Sequence, residues 1–386
     1  MEDVATETAA VTQIPTLDLS RQYATIADEV QAAVAKVLAS QHYVLGEEVA
    51  KFEQAAAREL GTKETVGCAS GTDALWLALA AAGVGQGDAV ITTPFTFFAS
   101  ASSITRANAR PVFVDIEPDT FNLDPAQLER ALGDAKNQDV KAVMPIHLYG
   151  QCADMTRINA IARAHKITVV EDAAQAFGAA WVGTPAGALG DIGCFSFYPT
   201  KNLSAYGDGG LCSTSSESLA ERMRMLRNHG SRQRYYHEEI GWNSRLDSVQ
   251  AAVLNVKLPH LRGWNEARRE RACYYHKLFR EAGIAEGAVT LPAVRDEAFH
   301  IYHQFVVRAQ KRDELRRHLT EQRIGSEVYY PVPLHMQECF AYLGYKEGDF
   351  PESERAAREV LALPIFPELT RAEQERIVAT VAEFYR

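Results

Sequence analysis

No apolar run in this 386-residue chain approaches the roughly 20 residues that a membrane-spanning helix needs, so a helical membrane protein is excluded. Basic residues are in deficit: 40 Lys and Arg stand against 50 Asp and Glu, a formal net charge of -10 at pH 7. A nucleic-acid surface needs clustered Lys and Arg to displace counterions from phosphates, so a nucleic-acid partner is not expected. Any anionic ligand has to meet a local basic patch instead. The six cysteines (Cys68, Cys152, Cys194, Cys212, Cys273, Cys339) lack the paired spacing of a zinc or redox site, so no metal is expected. A reduced, cytoplasmic setting is the natural reading. Residues 1–13 are small, acidic and polar, without the basic start and apolar core of a secretory signal, and read as a disordered tail.

What is present is a globular composition, 47% hydrophobic and 23% charged, in a chain longer than one core usually serves. Apolar residues recur at helical spacing from Tyr23 to Glu59, interrupted around Tyr43 to Gly46. Short, β-branched segments then alternate with helix-compatible stretches at Asp73 to Ala82, Asp124 to Leu132 and Thr156 to Ala164. The segments are Val90 to Thr93, Pro111 to Asp115, Ala142 to Ile146, Ile167 to Glu171 and Cys194 to Phe197. Strands buried on both faces read this way, which predicts an α/β fold with a large, mainly parallel sheet flanked by helices. A helical stretch from Leu246 to Ala282 leads into a small α+β domain with apolar segments at His303 to Arg308 and Gly325 to Tyr330. The expected division is a large domain over residues 14–260 and a small one over 261–386.

Ligands in such sheets sit at the carboxyl ends of the strands. The segment ending in Glu171 and Asp172 puts two carboxylates there, although a strand-end carboxylate also serves as an ordinary helix cap. Lys201 follows a strand and precedes Gly207-Asp-Gly-Gly in a stretch otherwise short of charge. Desolvation would lower its pKa and free the amine for Schiff-base chemistry, whereas most lysines are solvated surface charges. Ser70-Gly-Thr before a helix offers bare amides and hydroxyls to a phosphate, and is equally common N-cap chemistry. A phosphate cradle, a strand-end aspartate and a desolvated lysine together are what pyridoxal 5'-phosphate requires.

The order and wording of these segments resemble the DegT/StrS-type nucleotide-sugar aminotransferases, fold-type I pyridoxal-phosphate enzymes. The motifs are Tyr43-Val-Leu-Gly-Glu, Ser70-Gly-Thr-Asp-Ala-Leu, His147-Leu-Tyr-Gly-Gln, Glu171-Asp-Ala-Ala-Gln, Ser196-Phe-Tyr-Pro-Thr-Lys, Gly207-Asp-Gly-Gly, Gly241-Trp-Asn-Ser-Arg-Leu-Asp and Tyr330-Pro-Val-Pro-Leu-His. The resemblance implies that Lys201 is the Schiff-base lysine, Asp172 the partner of the pyridine nitrogen and Gln175 a neighbour of the ring hydroxyl. Gly71, Thr72 and Ser196 match phosphate binders, and Phe97 matches the aromatic residue stacked on the ring. Asn243 matches an asparagine that reaches the phosphate of a neighbouring subunit, which implies a homodimer with shared sites. Relatives that dehydrate sugars carry histidine where this chain has Lys201, so the resemblance implies amino transfer.

The implied substrates are L-glutamate and a keto sugar linked to UDP or dTDP. The stretch Leu148 to Ala162 and the motif around Asn243 resemble members acting on 3-keto sugars. A 4-keto substrate, or a cofactor-binding regulatory role, is the alternative. The basic segment Arg227-Asn-His-Gly-Ser-Arg-Gln-Arg-Tyr-Tyr-His, with His229, is a candidate counter-charge for the diphosphate. Arg245 is placed by resemblance to grip a carboxylate, and Tyr330 and His335 resemble substrate-facing positions.

Overall fold

A computed structural model of the protein describes residues 12–285 and 287–386, so the tail expected at residues 1–13 lies almost wholly outside the described residues. The main sheet contains β1 (Glu64–Cys68), β2 (Ala89–Thr92), β3 (Arg110–Phe113), β4 (Val140–Val143) and β5 (Thr168–Asp172). Two short strands, β6 (Ala180–Trp181) and β7 (Thr184–Pro185), stand apart before β8 (Ile192–Ser196) and β9 (Gly210–Thr214) rejoin it. The order across the seven strands is β1-β9-β8-β5-β4-β2-β3. All neighbouring pairs except the two made by β9 are parallel. The predicted parallel α/β sheet is therefore present, extended by β1 and β9.

The reason is visible in burial, since every residue of β2 and of β9 is buried. Helices Glu47–Leu60, Pro125–Gly133, Met155–His165 and Ser248–Lys257 cover one face through Phe52, Leu128, Ile158 and Leu254. Gly71–Ala81 and Glu217–Leu226 cover the other through Leu75, Leu79 and Met223. The helix Gly71–Ala81 is apolar nearly all round because it lies between the sheet and other helices.

Two expectations need correction. The helix predicted from Leu246 to Ala282 is broken into Ser248–Lys257 and Leu261–Glu281 by a 3₁₀ turn at Leu258–His260. Pro259 has no N–H to continue the α-helical ladder there. In the C-terminal part, β10 (Val289–Thr290), β12 (Phe305–Ala309) and β13 (Val360–Leu363) form an antiparallel sheet, while β11 (Ala298–Phe299) pairs with β6. Thus His303 to Arg308 supplies a strand, but Gly325 to Tyr330 makes only an isolated bridge, Glu327 to Ala362. The neighbour of β12 is β13, whose four residues are all buried and satisfy its ladder first. Ile14 joins this core, its N–H donating to Arg323 O at 2.9 Å. Among the described residues no helix is long and apolar enough to cross a membrane.

Candidate active site

Successive side chains of a strand point to opposite faces, so the two carboxylates ending β5 have different fates. Glu171 is fully buried and accepts from His147 Nε2 at 2.8 Å and from the backbone N–H groups of Gly187, Leu189 and Gly190 at 2.7, 2.8 and 2.6 Å. The N–H of Ala153 donates to His147 Nδ1 at 3.2 Å, which leaves Nε2 as the protonated nitrogen facing Glu171. Glu171 is thus consumed in holding the 187–190 loop. Asp172 is the carboxylate left for chemistry.

Asp172 Oδ2 accepts from Ser100 Oγ at 2.7 Å and Oδ1 from the Ala174 N–H at 3.2 Å. Burial pushes its carboxyl upward, and the Ser100 hydroxyl, the Ala174 N–H, Lys201 and His147 pull against that. Lys201 follows β8 in a turn closed by its own N–H to Tyr198 O at 2.8 Å. Its amine hydrogen-bonds to no described residue, and burial pulls its pKa down to about 8 although Asp172 raises it. Burial thus favours the free amine of Lys201, with Asp172 in electrostatic reach of it.

From this follows a pH dependence. Only the free amine attacks an aldehyde, so the rate at which the cofactor-free protein captures pyridoxal phosphate covalently should rise about tenfold per pH unit below 8 and level off above it. Stopped-flow absorbance across pH 6 to 10 measures this. A rise that continues toward 10.5, the ordinary lysine value, would show that Lys201 is not desolvated.

Beside this pair, the helix Gly71–Ala81 opens with Ser70 Oγ accepting the Asp73 N–H at 3.1 Å. Ser70 is thereby spent as the N-cap, leaving the Gly71 and Thr72 amides as the free donors of the first turn. Gly71 lies against Ser196: a Cβ on it would stand 2.5 Å from Ser196 Cβ. Only glycine lets the helix end and the end of β8 approach this closely, which brings the helix start that carries the Gly71 and Thr72 amides against Ser196.

Gln175 is oriented without ambiguity. Its Oε1 accepts from the Tyr149 N–H at 2.7 Å, so Nε2 is the donor, and it reaches Tyr330 OH at 3.1 Å. Tyr330 also meets Phe97, ring centroids 6.1 Å apart, and burial raises its pKa so that it keeps its proton. Phe97 itself is 57% exposed, a large aromatic face left bare at a sheet's carboxyl end.

Other predicted residues lie further out. Asn243 and His229 are exposed, the former in a backbone bridge to Asn228 and the latter donating its N–H to Trp242 O at 2.9 Å. Arg245 Nη1 donates to Asn228 Oδ1 at 3.1 Å and makes no ion pair among the described residues. Within the basic segment, Arg227 must be withdrawn as a counter-charge: it is buried and spent on Glu53 and the Gly67 carbonyl. His335 is also misplaced by the sequence reading. Its side chain is fully buried, 3.1 Å from Glu354 Oε1 and packed on Phe350, and offers no surface to a ligand. Sequence reasoning missed Ser100 and Thr96 behind Asp172, and His303, a buried neutral imidazole in electrostatic reach of Lys201.

The residues present fit pyridoxal 5'-phosphate. The free amides of the helix start suit a phosphate, Asp172 retains acceptor capacity beyond its two donors, Gln175 presents an N–H, and the Lys201 amine has no hydrogen bond among the described residues.

Comparison with known proteins agrees. The family model "DegT/DnrJ/EryC1/StrS aminotransferase family" matches residues 24–382. The chain is 52% identical, over 97% of its length and 99% of the other, to a pleiotropic regulatory protein of Geobacillus stearothermophilus. It is 42% identical, over 96% of its length and 97% of the other, to the UDP-N-acetyl-3-dehydro-alpha-D-glucosamine 3-aminotransferase of Acidithiobacillus ferrooxidans. Among solved structures, DesV of Streptomyces venezuelae, in complex with a ketimine intermediate, superposes with a TM-score of 0.92 at 42% identity, covering 96% of this chain and 98% of that one.

Proposed function

The chain belongs to the DegT/DnrJ/EryC1/StrS aminotransferase family, and from this we propose that it moves the amino group of L-glutamate to C3 of a UDP- or dTDP-linked 3-keto sugar. It is an aminotransferase and its cofactor is pyridoxal 5'-phosphate. The observation that carries the reading is the free Lys201 amine set against Asp172 at the strand ends.

When bound, the cofactor supplies an aldehyde that carries the amino group and a ring that accepts the electron pair released as a carbon–hydrogen bond breaks. Lys201 Nζ would hold the group in place and, once released, would move a proton from the donor's α carbon to the carbon that carried the aldehyde in the first half-reaction, and from that carbon to the sugar carbon in the second. Asp172 stabilises the positive charge on the ring nitrogen. Gln175 Nε2 would donate toward the ring hydroxyl, Phe97 would cover a ring face, and the Gly71 and Thr72 amides with Ser196 would hold the phosphate. Arg245, lacking an ion pair, is free for a substrate carboxylate, and the exposed arginines beyond Arg227 for the diphosphate. Tyr330 keeps its proton and donates to the sugar.

Part of the same proposal is a homodimer. Exposed Asn243 would reach the partner's phosphate, and the apolar Leu38, Tyr43, Val44 and Leu45, each at least 39% exposed, call for a cover. The division near residue 260 draws support from one hydrophobic cluster whose buried residues, Ile14 apart, all follow it, while Ile301 joins the sheet's cluster and two smaller clusters join both sides. A cytoplasmic setting is supported by six cysteines that form no disulfide.

The name of the Geobacillus relative favours one second reading, a regulatory role. The net charge of -10 does not favour DNA as a partner. The proposal is tested by offering UDP- and dTDP-linked 3-keto and 4-keto sugars with L-glutamate and following 2-oxoglutarate and the amino sugar. Conversion of 3-keto sugars is expected. Conversion of 4-keto sugars alone would overturn the regiochemistry, and DNA binding without any conversion would favour the regulator.

A further inference from the structure

Thr96 and Ser100 stand one helical turn apart where the helix Phe98–Arg106 begins, both are buried, and neither hydroxyl caps that helix. A buried helical serine ordinarily bonds back to a carbonyl of the preceding turn, as Ser103 does to Ser100 O at 2.9 Å. Ser100 instead reaches across the fold to Asp172 Oδ2 at 2.7 Å. A carboxylate has no proton to give, so Ser100 donates, and its single proton is then spent. In the 3.0 Å contact between Thr96 Oγ1 and Ser100 Oγ, Ser100 must therefore accept and Thr96 donate. The result is a two-hydroxyl relay directed at the carboxylate, in a dry setting where each hydrogen bond polarises the next.

We propose that Ser100, backed by Thr96, is a positioning residue for amino transfer, which fixes the rotation of the Asp172 carboxyl and keeps it charged toward the ring nitrogen of pyridoxal phosphate. This rests on the reading of Asp172 as that nitrogen's partner. The groups facing Asp172 are Lys201 beyond β8, His147 beyond β4 with its Nε2–H on Glu171, Tyr330 from the C-terminal part, and Cys194 on β8. Burial opposes the charge on Asp172, and the Ser100 hydroxyl is the largest influence against burial. Lys201 cannot substitute for it, because the amine loses its charge whenever it acts as nucleophile or base. Ser100 works in both states of the lysine.

The test compares wild type, Ser100→Ala, Ser100→Thr and Thr96→Val as full-length protein, with and without pyridoxal phosphate. Infrared titration of the Asp172 carboxyl, assigned with Asp172→Asn, reads the cofactor-free protein; the dissociation constant of pyridoxal phosphate, kcat and KM read the rest. Ser100→Ala is expected to move the Asp172 titration up by about one pH unit, to weaken cofactor binding and lower kcat each by about tenfold, and to leave KM for the sugar within about twofold. Ser100→Thr should restore all three, and Thr96→Val should shift them the same way by less. If Ser100→Ala does not fold, Thr96→Val carries the test. An unmoved Asp172 titration and an unmoved cofactor constant in these variants would make Ser100 a packing residue and overturn the proposal. A wild type that binds no pyridoxal phosphate would instead remove the reading of Asp172 itself.

Discussion

Lys201→Ala is expected to lower turnover by at least about 10⁴-fold, because one side chain supplies both the covalent attachment of the cofactor and the proton transfer at carbon. The fold should survive. The amine makes no hydrogen bond to a described residue, and its desolvation is a cost that the alanine variant no longer bears. A melting temperature equal to or above that of wild type, alongside lost turnover, separates a chemical role from a structural one. Lys201→Arg sharpens the point, since guanidinium keeps the charge near Asp172 but does not deprotonate. It should be as inactive as the alanine variant, and restored turnover would mean that Lys201 serves as a cation only.

Asp172→Asn is expected to lower kcat by about 10²–10³-fold, the scale seen when one preorganised charge-stabilising group is removed from a dry site. Shape is retained, but asparagine has one acceptor oxygen where the carboxylate uses Oδ2 for Ser100 and Oδ1 for Ala174, so the loss combines the charge with one of these hydrogen bonds. KM for the sugar should move little, because the carboxylate acts on the ring and not on the substrate's remote parts. Measuring kcat and KM separately checks this. A loss confined to KM would place Asp172 in substrate binding instead.

The sheet was legible in the sequence because strands buried on both faces leave short apolar, β-branched runs, as at Val90 to Thr93 and Ile167 to Glu171. β1 and β9 escaped notice because Glu64-Thr-Val-Gly-Cys and Gly210-Leu-Cys-Ser-Thr are diluted by glycine and polar residues. Their burial comes from the helices packed above them. The break at Pro259 was readable from proline's missing N–H and was hidden by strong helical periodicity on both sides.

At the site, Lys201, Asp172, Gln175, Phe97, Gly71 and Ser196 come together from segments that the chain order lists far apart. Taken singly, Asp172 read equally as a helix cap, Lys201 as a surface charge and Gly71 as part of an N-cap, while Gln175, Phe97 and Ser196 were marked only by the family resemblance. His335 misled because a motif position says nothing about which way a ring faces: it turns inward to Glu354. Ser100 left no local signal at all, since its partner lies 72 residues away and the pairing exists only once β5 and the helix after β2 are packed.

Two lysines have their pKa drawn down to about 8 by burial, Lys201 and Lys257. Lys257 donates to Ser204 Oγ at 2.8 Å and lies 4.5 Å from the Tyr206 ring centroid, with no carboxylate partner among the described residues. Low pKa alone therefore does not choose between them; the facing Asp172 does. The decisive measurement is to load the full-length protein with pyridoxal phosphate, reduce it with borohydride, digest it, and locate the phosphopyridoxyl group by peptide mass spectrometry. Stoichiometric label on Lys201, absent after Lys201→Ala, is the predicted result. Label on Lys257, or on no lysine, would contradict the account.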